Sequence, residues 1–141
     1  LVPCVLVVLL CVAGCGTAPA PPIESRLTID RGVYGELVSG CDTTGCSPSA
    51  IRGELVGLFD VQPRDAMTGA VVATPLRTTT SDSVGFYELV AEPGHYFLAW
   101  LERSPDGTLA VYTSVGEVDV LTLDRLDFRS GPGGGRWHAG E

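Results

Sequence analysis

The stretch "VGFYELVAEPGHYFLAW", Val84 to Trp100, sets two apolar strings on either side of Glu92-Pro93-Gly94. Proline presets its own φ and glycine accepts conformations closed to other residues, so the tripeptide reads as a turn between two strands. One of the chain's two histidines, His95, stands at that turn beside Tyr96. The pair marks either the edge of a metal or catalytic site or merely the place where a hairpin turns.

Outward from this stretch, turn residues recur at regular spacing. "GVYGELVSG" (32–40) reads as a strand and "CDTTGCSPS" as a loop. "GELVGLFDVQ" (53–62) is the next strand, followed by a Pro/Asp/Gly loop through Gly69 and a β-branched stretch to about Thr80. "SDSVG" turns into "FYELVA", Glu92-Pro93-Gly94 into "HYFLAWLE", and Pro105-Asp106-Gly107 into "LAVYTS"; "GEVDVLTLDRLDFR" closes the series. Seven strands without an amphipathic helix predict an all-β, antiparallel sandwich.

The ends differ in character. Residues 1–14, "LVPCVLVVLLCVAG", are almost wholly apolar, too short to span a bilayer and of the length of an export signal's core. Their end, Val12-Ala13-Gly14 before Cys15, resembles the lipobox of bacterial lipoproteins, in which the cysteine takes the lipid. Acylation of Cys15 with two or three chains, palmitate among them, would anchor the protein firmly, where one chain binds only marginally. Residues 15–30, the lipidated cysteine and a Pro/Ala-rich run, read as a flexible tether of at most about 50 Å. Residues 130–141, "SGPGGGRWHAGE", read as a glycine-rich disordered tail carrying Trp137 and His138.

The cysteines sort by this division. Cys4 and Cys11 leave with the signal and Cys15 carries lipid. Cys41 and Cys46 remain, in an exported setting that oxidises nearby thiols, so a disulfide is expected there. A zinc pair is the alternative, but it needs further Cys or His ligands nearby. All nine basic residues are arginine against 17 acidic ones, and the net charge of −8 forms no run. No arginine cluster in the sequence suits nucleic acid.

At this point a family resemblance enters. "TTTSDSVGFYELVAEPGHYFLAW" resembles the signature of carboxypeptidase-regulatory-like domains, which have a transthyretin-like (prealbumin-like) sandwich. A Thr-rich strand and an Asp/Gly turn precede a G-x-Φ-x-Φ strand, here Gly85 to Leu89. A Pro-Gly-x-Tyr-x-Leu-x-Φ strand follows, here Pro93 to Trp100. The likeness spans roughly residues 31–129 and departs from the family in the "CDTTGC" loop. It implies a seven-stranded prealbumin-like sandwich with Tyr96, Leu98 and Trp100 in the core. Alternation along the strand then turns His95, Phe97 and Ala99 outward.

Two enzyme groups share this general sandwich. Intradiol dioxygenases hold iron with two tyrosines and two histidines, and His138 in the tail leaves His95 alone. Hydroxyisourate hydrolases end in a Tyr-Arg-Gly-Ser motif that "GRWHAGE" does not match. No Gly-x-Ser-x-Gly elbow or phosphate loop is present, and Asp60, Asp82, Glu88 and Asp119 are scattered. The oxygens of Ser81-Asp82-Ser83 could suit calcium. The expectation is a protein without catalytic, metal or cofactor residues.

The same parity gathers Phe86, Val90, Phe97, Ala99 and Leu101 on the outer side of their two strands. That apolar patch would be either a docking face or a second core covered by a loop or the C-terminal segment. The expected function is that of a membrane-anchored envelope lipoprotein displaying a non-catalytic binding or structural module. Its partner would be an envelope protein or polysaccharide, and its place the outer membrane if the envelope has two. The alternatives are an accessory subunit of a larger envelope complex and a transthyretin-like enzyme.

Overall fold

Alternating apolar residues along short β-prone segments demand two sheets packed face to face, and the computed structural model has that form. It describes residues 21–40, 47–131 and 134–140. Cys4, Cys11, Cys15, Cys41 and Cys46 lie outside the described residues, and with them the signal, lipidation and disulfide expectations.

A single 3-10 turn, Ile23–Arg26, precedes nine strands among the described residues. They are β1 (Gly32–Ser39), β2 (Ser49–Ala50), β3 (Leu55–Phe59), β4 (Arg77–Thr80), β5 (Phe86–Val90), β6 (Gly94–Arg103), β7 (Leu109–Val120), β8 (Leu123–Gly131) and β9 (Gly134–Ala139). One sheet runs β2–β1–β8–β9 with β5 also along β1; the other runs β4–β3–β6–β7. Between them lie Val33 and Leu37, Val56 and Leu58, Tyr87 and Leu89, Leu98 and Trp100, and Leu126 and Phe128, each pair an even number of residues apart on its strand and so on one face.

Several expectations need correction, the count of seven strands among them. The sandwich is not wholly antiparallel: β1 and β8 pair in parallel, from Gly32 opposite Leu123 to Ser39 opposite Ser130. Nor do β5 and β6 form a hairpin. β5 pairs with β1 while β6 pairs with β3 and β7, so Glu92-Pro93-Gly94 carries the chain from one sheet to the other. The closing segment likewise divides between β7 and β8. Leu121 donates its N–H to Asp124 Oδ2 at 2.8 Å in the crossing between them.

A further correction concerns residues 130–141, which are not a disordered tail. Residues 134–139 form β9, antiparallel to β8 and in register from Leu126–Ala139 to Gly131–Gly134. Glycine is what permits this. A Cβ on Gly135 would overlap the Phe128 ring, and one on Gly116 would overlap the base of Trp137. The absent side chains leave room for Trp137 to reach the core edge-on to Tyr87 and Phe128, with centroids 6.2 and 5.2 Å away.

The segment expected to be free tether is also partly docked. Ile23 is buried against Tyr34 and Phe86, with Leu27 and Leu123 beside it. Thr28 donates its N–H to Glu88 Oε2 at 2.9 Å, and Arg26 pairs with Asp82 at 3.6 Å while lying over the Phe86 ring. This strap covers the outer face of β5 and β1. On the opposite sheet, residues 60–73 cover Phe59, Ala99 and Leu101, pinned by bridges Arg64–Val71 and Ala70–Ala110.

Candidate functional site

The residues of the expected apolar patch lie on opposite sides of the molecule. Phe86 faces outward from β5 under the strap, and Phe97, Ala99 and Leu101 face outward from β6 under the 60–73 loop. Val90 remains 40% exposed. The alternation on β6 is as expected, with Leu98 and Trp100 inward. The patch divides because its two strands belong to different sheets.

His95 projects from the start of β6, half exposed, with both ring nitrogens turned toward carboxylates on β7. Nδ1 is 2.7 Å from Asp119 Oδ1 and Nε2 is 3.8 Å from Glu117, while Phe97 meets the ring edge-on. Exposed ion pairs of this kind contribute little stability. His138, the other histidine, stands on β9 in the other sheet. Asp82 is the cap of its turn: Oδ1 accepts the N–H groups of Val84 and Phe86 at 2.9 and 3.0 Å. Ser81 donates to the Ile51 carbonyl and accepts from Glu54 N. Among the described residues no group of three or more His, Cys, Asp or Glu side chains is placed to hold a metal ion.

The densest polar structure is on the outer face of β1, β8 and β9. Asp127, 6% exposed, accepts the Glu36 N–H at 2.9 Å and receives Arg125 Nε on both oxygens at 3.0–3.1 Å. Arg125 also reaches Glu24 at 3.5 Å and Glu36 at 3.7 Å. Burial alone would lower its pKa, but the hydrogen bond and charge of Asp127, with Glu36 and Glu24, hold the guanidinium above its ordinary value. Tyr34 alongside is pushed up, by burial and then by the charge of Glu24. Arg125 is therefore spent on structure, joining the strap to β8.

Further along, the same face changes character. Arg129 on β8 stands directly opposite Arg136 on β9, and Asp127 opposite His138. Two adjoining depressions open there, of about 390 and 350 Å³, and Arg129 and His138 line both. Sequence reasoning missed this site because it depends on β9. The available signal was the alternation Gly135, Arg136, Trp137, His138, in which small and aromatic residues exchange places with charged ones.

No protein-family model, curated protein or solved structure matches the chain.

Proposed function

We propose that this chain is an exported, lipid-anchored envelope protein whose sandwich is a non-catalytic binding or structural module of the prealbumin-like, carboxypeptidase-regulatory-like kind. The observation that carries this reading is the strap. The chain docks on the body from Ile23 onward, only eight positions after Cys15. With acyl chains on Cys15, the seven residues Gly16 to Pro22 between the anchor and the docked segment span at most about 25 Å. That is half the reach of a tether running to Asp30.

Other features support the reading. The apolar run ending in Val-Ala-Gly-Cys supplies the export and acylation signal. The segments that carry the resemblance are strand and turn: Thr78–Thr80 on β4, Asp82 and Gly85 in the turn, Phe86–Leu89 on β5, and His95–Trp100 on β6. His95 lies half exposed at the start of β6, between Asp119 and Glu117. Cys41 and Cys46 then form a disulfide within the loop after β1.

Intact-mass spectrometry of the membrane-extracted, unreduced protein tests these points together. The expected mass begins at Cys15, carries acyl chains and lacks the two hydrogens lost to a disulfide. An unacylated mass, or membrane retention of a processed Cys15→Ser variant, overturns the lipoprotein reading.

A further inference from the structure

Arg129 and Arg136 are cross-strand partners, and so are their neighbours Phe128 and Trp137. Phe128 lies in the core and Trp137 packs against it, so the two arginines project together from the outer face. Like charges directly opposed across an antiparallel ladder are destabilising. This chain has acidic residues in excess, 17 against nine arginines. Three arginines have carboxylate partners, Arg26 with Asp82, Arg31 with Glu92, and Arg125 with Glu24, Glu36 and Asp127, while Arg52, Arg64, Arg77 and Arg103 have none among the described residues. Among the described residues neither Arg129 nor Arg136 has an acidic partner. What sets this pair apart among the described residues is that its two unpaired arginines stand directly opposite each other, in a protein of net charge −8.

The surroundings suit a small anion. His138 borders both depressions beside Arg129. Gly134, at φ +94°, has no described atom within 4 Å of where a side chain would begin. Asp127 is the acid nearest along the ladder, and its two oxygens are already taken by Arg125.

We propose that Arg129 and Arg136 form a binding site for a phosphate group, held between two guanidinium forks with His138 at its rim. Each guanidinium presents a planar set of donors that matches two oxygens of an oxyanion, and two forks from opposite sides match a tetrahedral group. A bound phosphate converts mutual repulsion into shared attraction. The site is independent of the anchor and of the display reading, since it needs only the β8–β9 register.

The test uses the full chain carrying Cys15→Ser, so that acylation plays no part. Thermal melts are run in inorganic phosphate and in chloride at matched ionic strength, with Arg129→Gln, Arg136→Gln and the double variant. Phosphate should raise the wild-type melting temperature saturably, and removing one fork should weaken binding about tenfold or more. The double variant should show no specific response, yet melt no lower than wild type in chloride, because the opposed charges are gone. A variant with lysine at both positions keeps the charge but not the forks. It should bind weakly, and gives the same comparison if the glutamine pair does not fold. Vesicles of phosphatidylglycerol and of phosphatidylcholine identify the source. Arginine-dependent retention on the former assigns a lipid headgroup, and a response to inorganic phosphate alone assigns a free or polymer-borne group. An equal phosphate response in the double variant, or no arginine-dependent response to either probe, overturns the proposal.

Discussion

The indole N–H of Trp137 donates to the backbone carbonyl of Ser114 at 3.0 Å, joining the last strand of one sheet to β7 of the other. Ser114 returns the contact, its hydroxyl donating to the Gly135 carbonyl at 2.9 Å. These two bonds close one side of the sandwich, where two sheet edges would otherwise present unpaired backbone groups.

Trp137→Ala should therefore destabilise the whole domain, by up to about 3 kcal/mol for a partly buried tryptophan. Trp137→Phe keeps most of the packing and loses a hydrogen bond, a change of about 1 kcal/mol. Denaturant midpoints check both. An unchanged midpoint for Trp137→Ala would mean that β9 does not contribute to the fold.

Gly135→Ala places a methyl group where the Phe128 ring lies, and Phe128 is fully buried. Forcing one carbon into a packed core costs about 1–3 kcal/mol. Pairing the change with Phe128→Leu should recover part of the loss. A double-mutant cycle measures that recovery, and strict additivity would place the two residues apart.

Much of this architecture was legible in the sequence, and the reason is periodicity. Leu98 and Trp100 alternate with Phe97 and Ala99 strictly enough to fix which side of β6 meets the core. Pairing was not legible. A Pro-Gly turn looks alike whether its strands join in a hairpin or part to different sheets, and contacts distant in sequence decide which. β9 was hidden because glycine-rich composition usually means a chain that cannot bury enough surface, whereas here glycine admits Phe128 and Trp137. The Arg129–Arg136 pair was hidden with it. The strap hangs on one buried residue, Ile23, amid proline and polar neighbours, which leaves no periodic signal.

Phe86→Ser and Phe97→Ser should each lower the melting temperature, because each side chain lies under a covering segment. Their effects should add within about 0.5 kcal/mol, as for residues without shared partners. Strong coupling between them would restore the single contiguous patch.

The Tyr87 phenol is buried and donates to the Leu126 carbonyl. Burial, then the charge of Asp127, pushes its pKa well above 10. The unfolded chain ionises this group near its ordinary value, about 10. The stability it contributes is thus fully present below that pH and is lost as pH rises beyond it. Tyr34, also raised, acts in the same direction. Tyr87→Phe should cost about 1 kcal/mol at neutral pH and show a shallower alkaline decline. Stability curves of both proteins across the alkaline range give the comparison, and parallel slopes would refute it.

The parallel pairing of β1 with β8 bears on the order in which the protein forms. The bond from Glu36 N to Asp127 Oδ1 spans 91 positions, and β1 receives β5 on its other side. The first of the described strands thus lies inside its sheet, and beyond the short contact with β2 its partners β5 and β8 come from much further along the chain. Loops this long must close before any contact rewards them, which places such topologies among the slow folders, on the scale of milliseconds to seconds. A chain emerging N-terminus first holds β1 without its β8 partner until residues 123–131 have emerged. The native sheet can form only after that point, so β8 and β9 act as a late latch on the strands made before them.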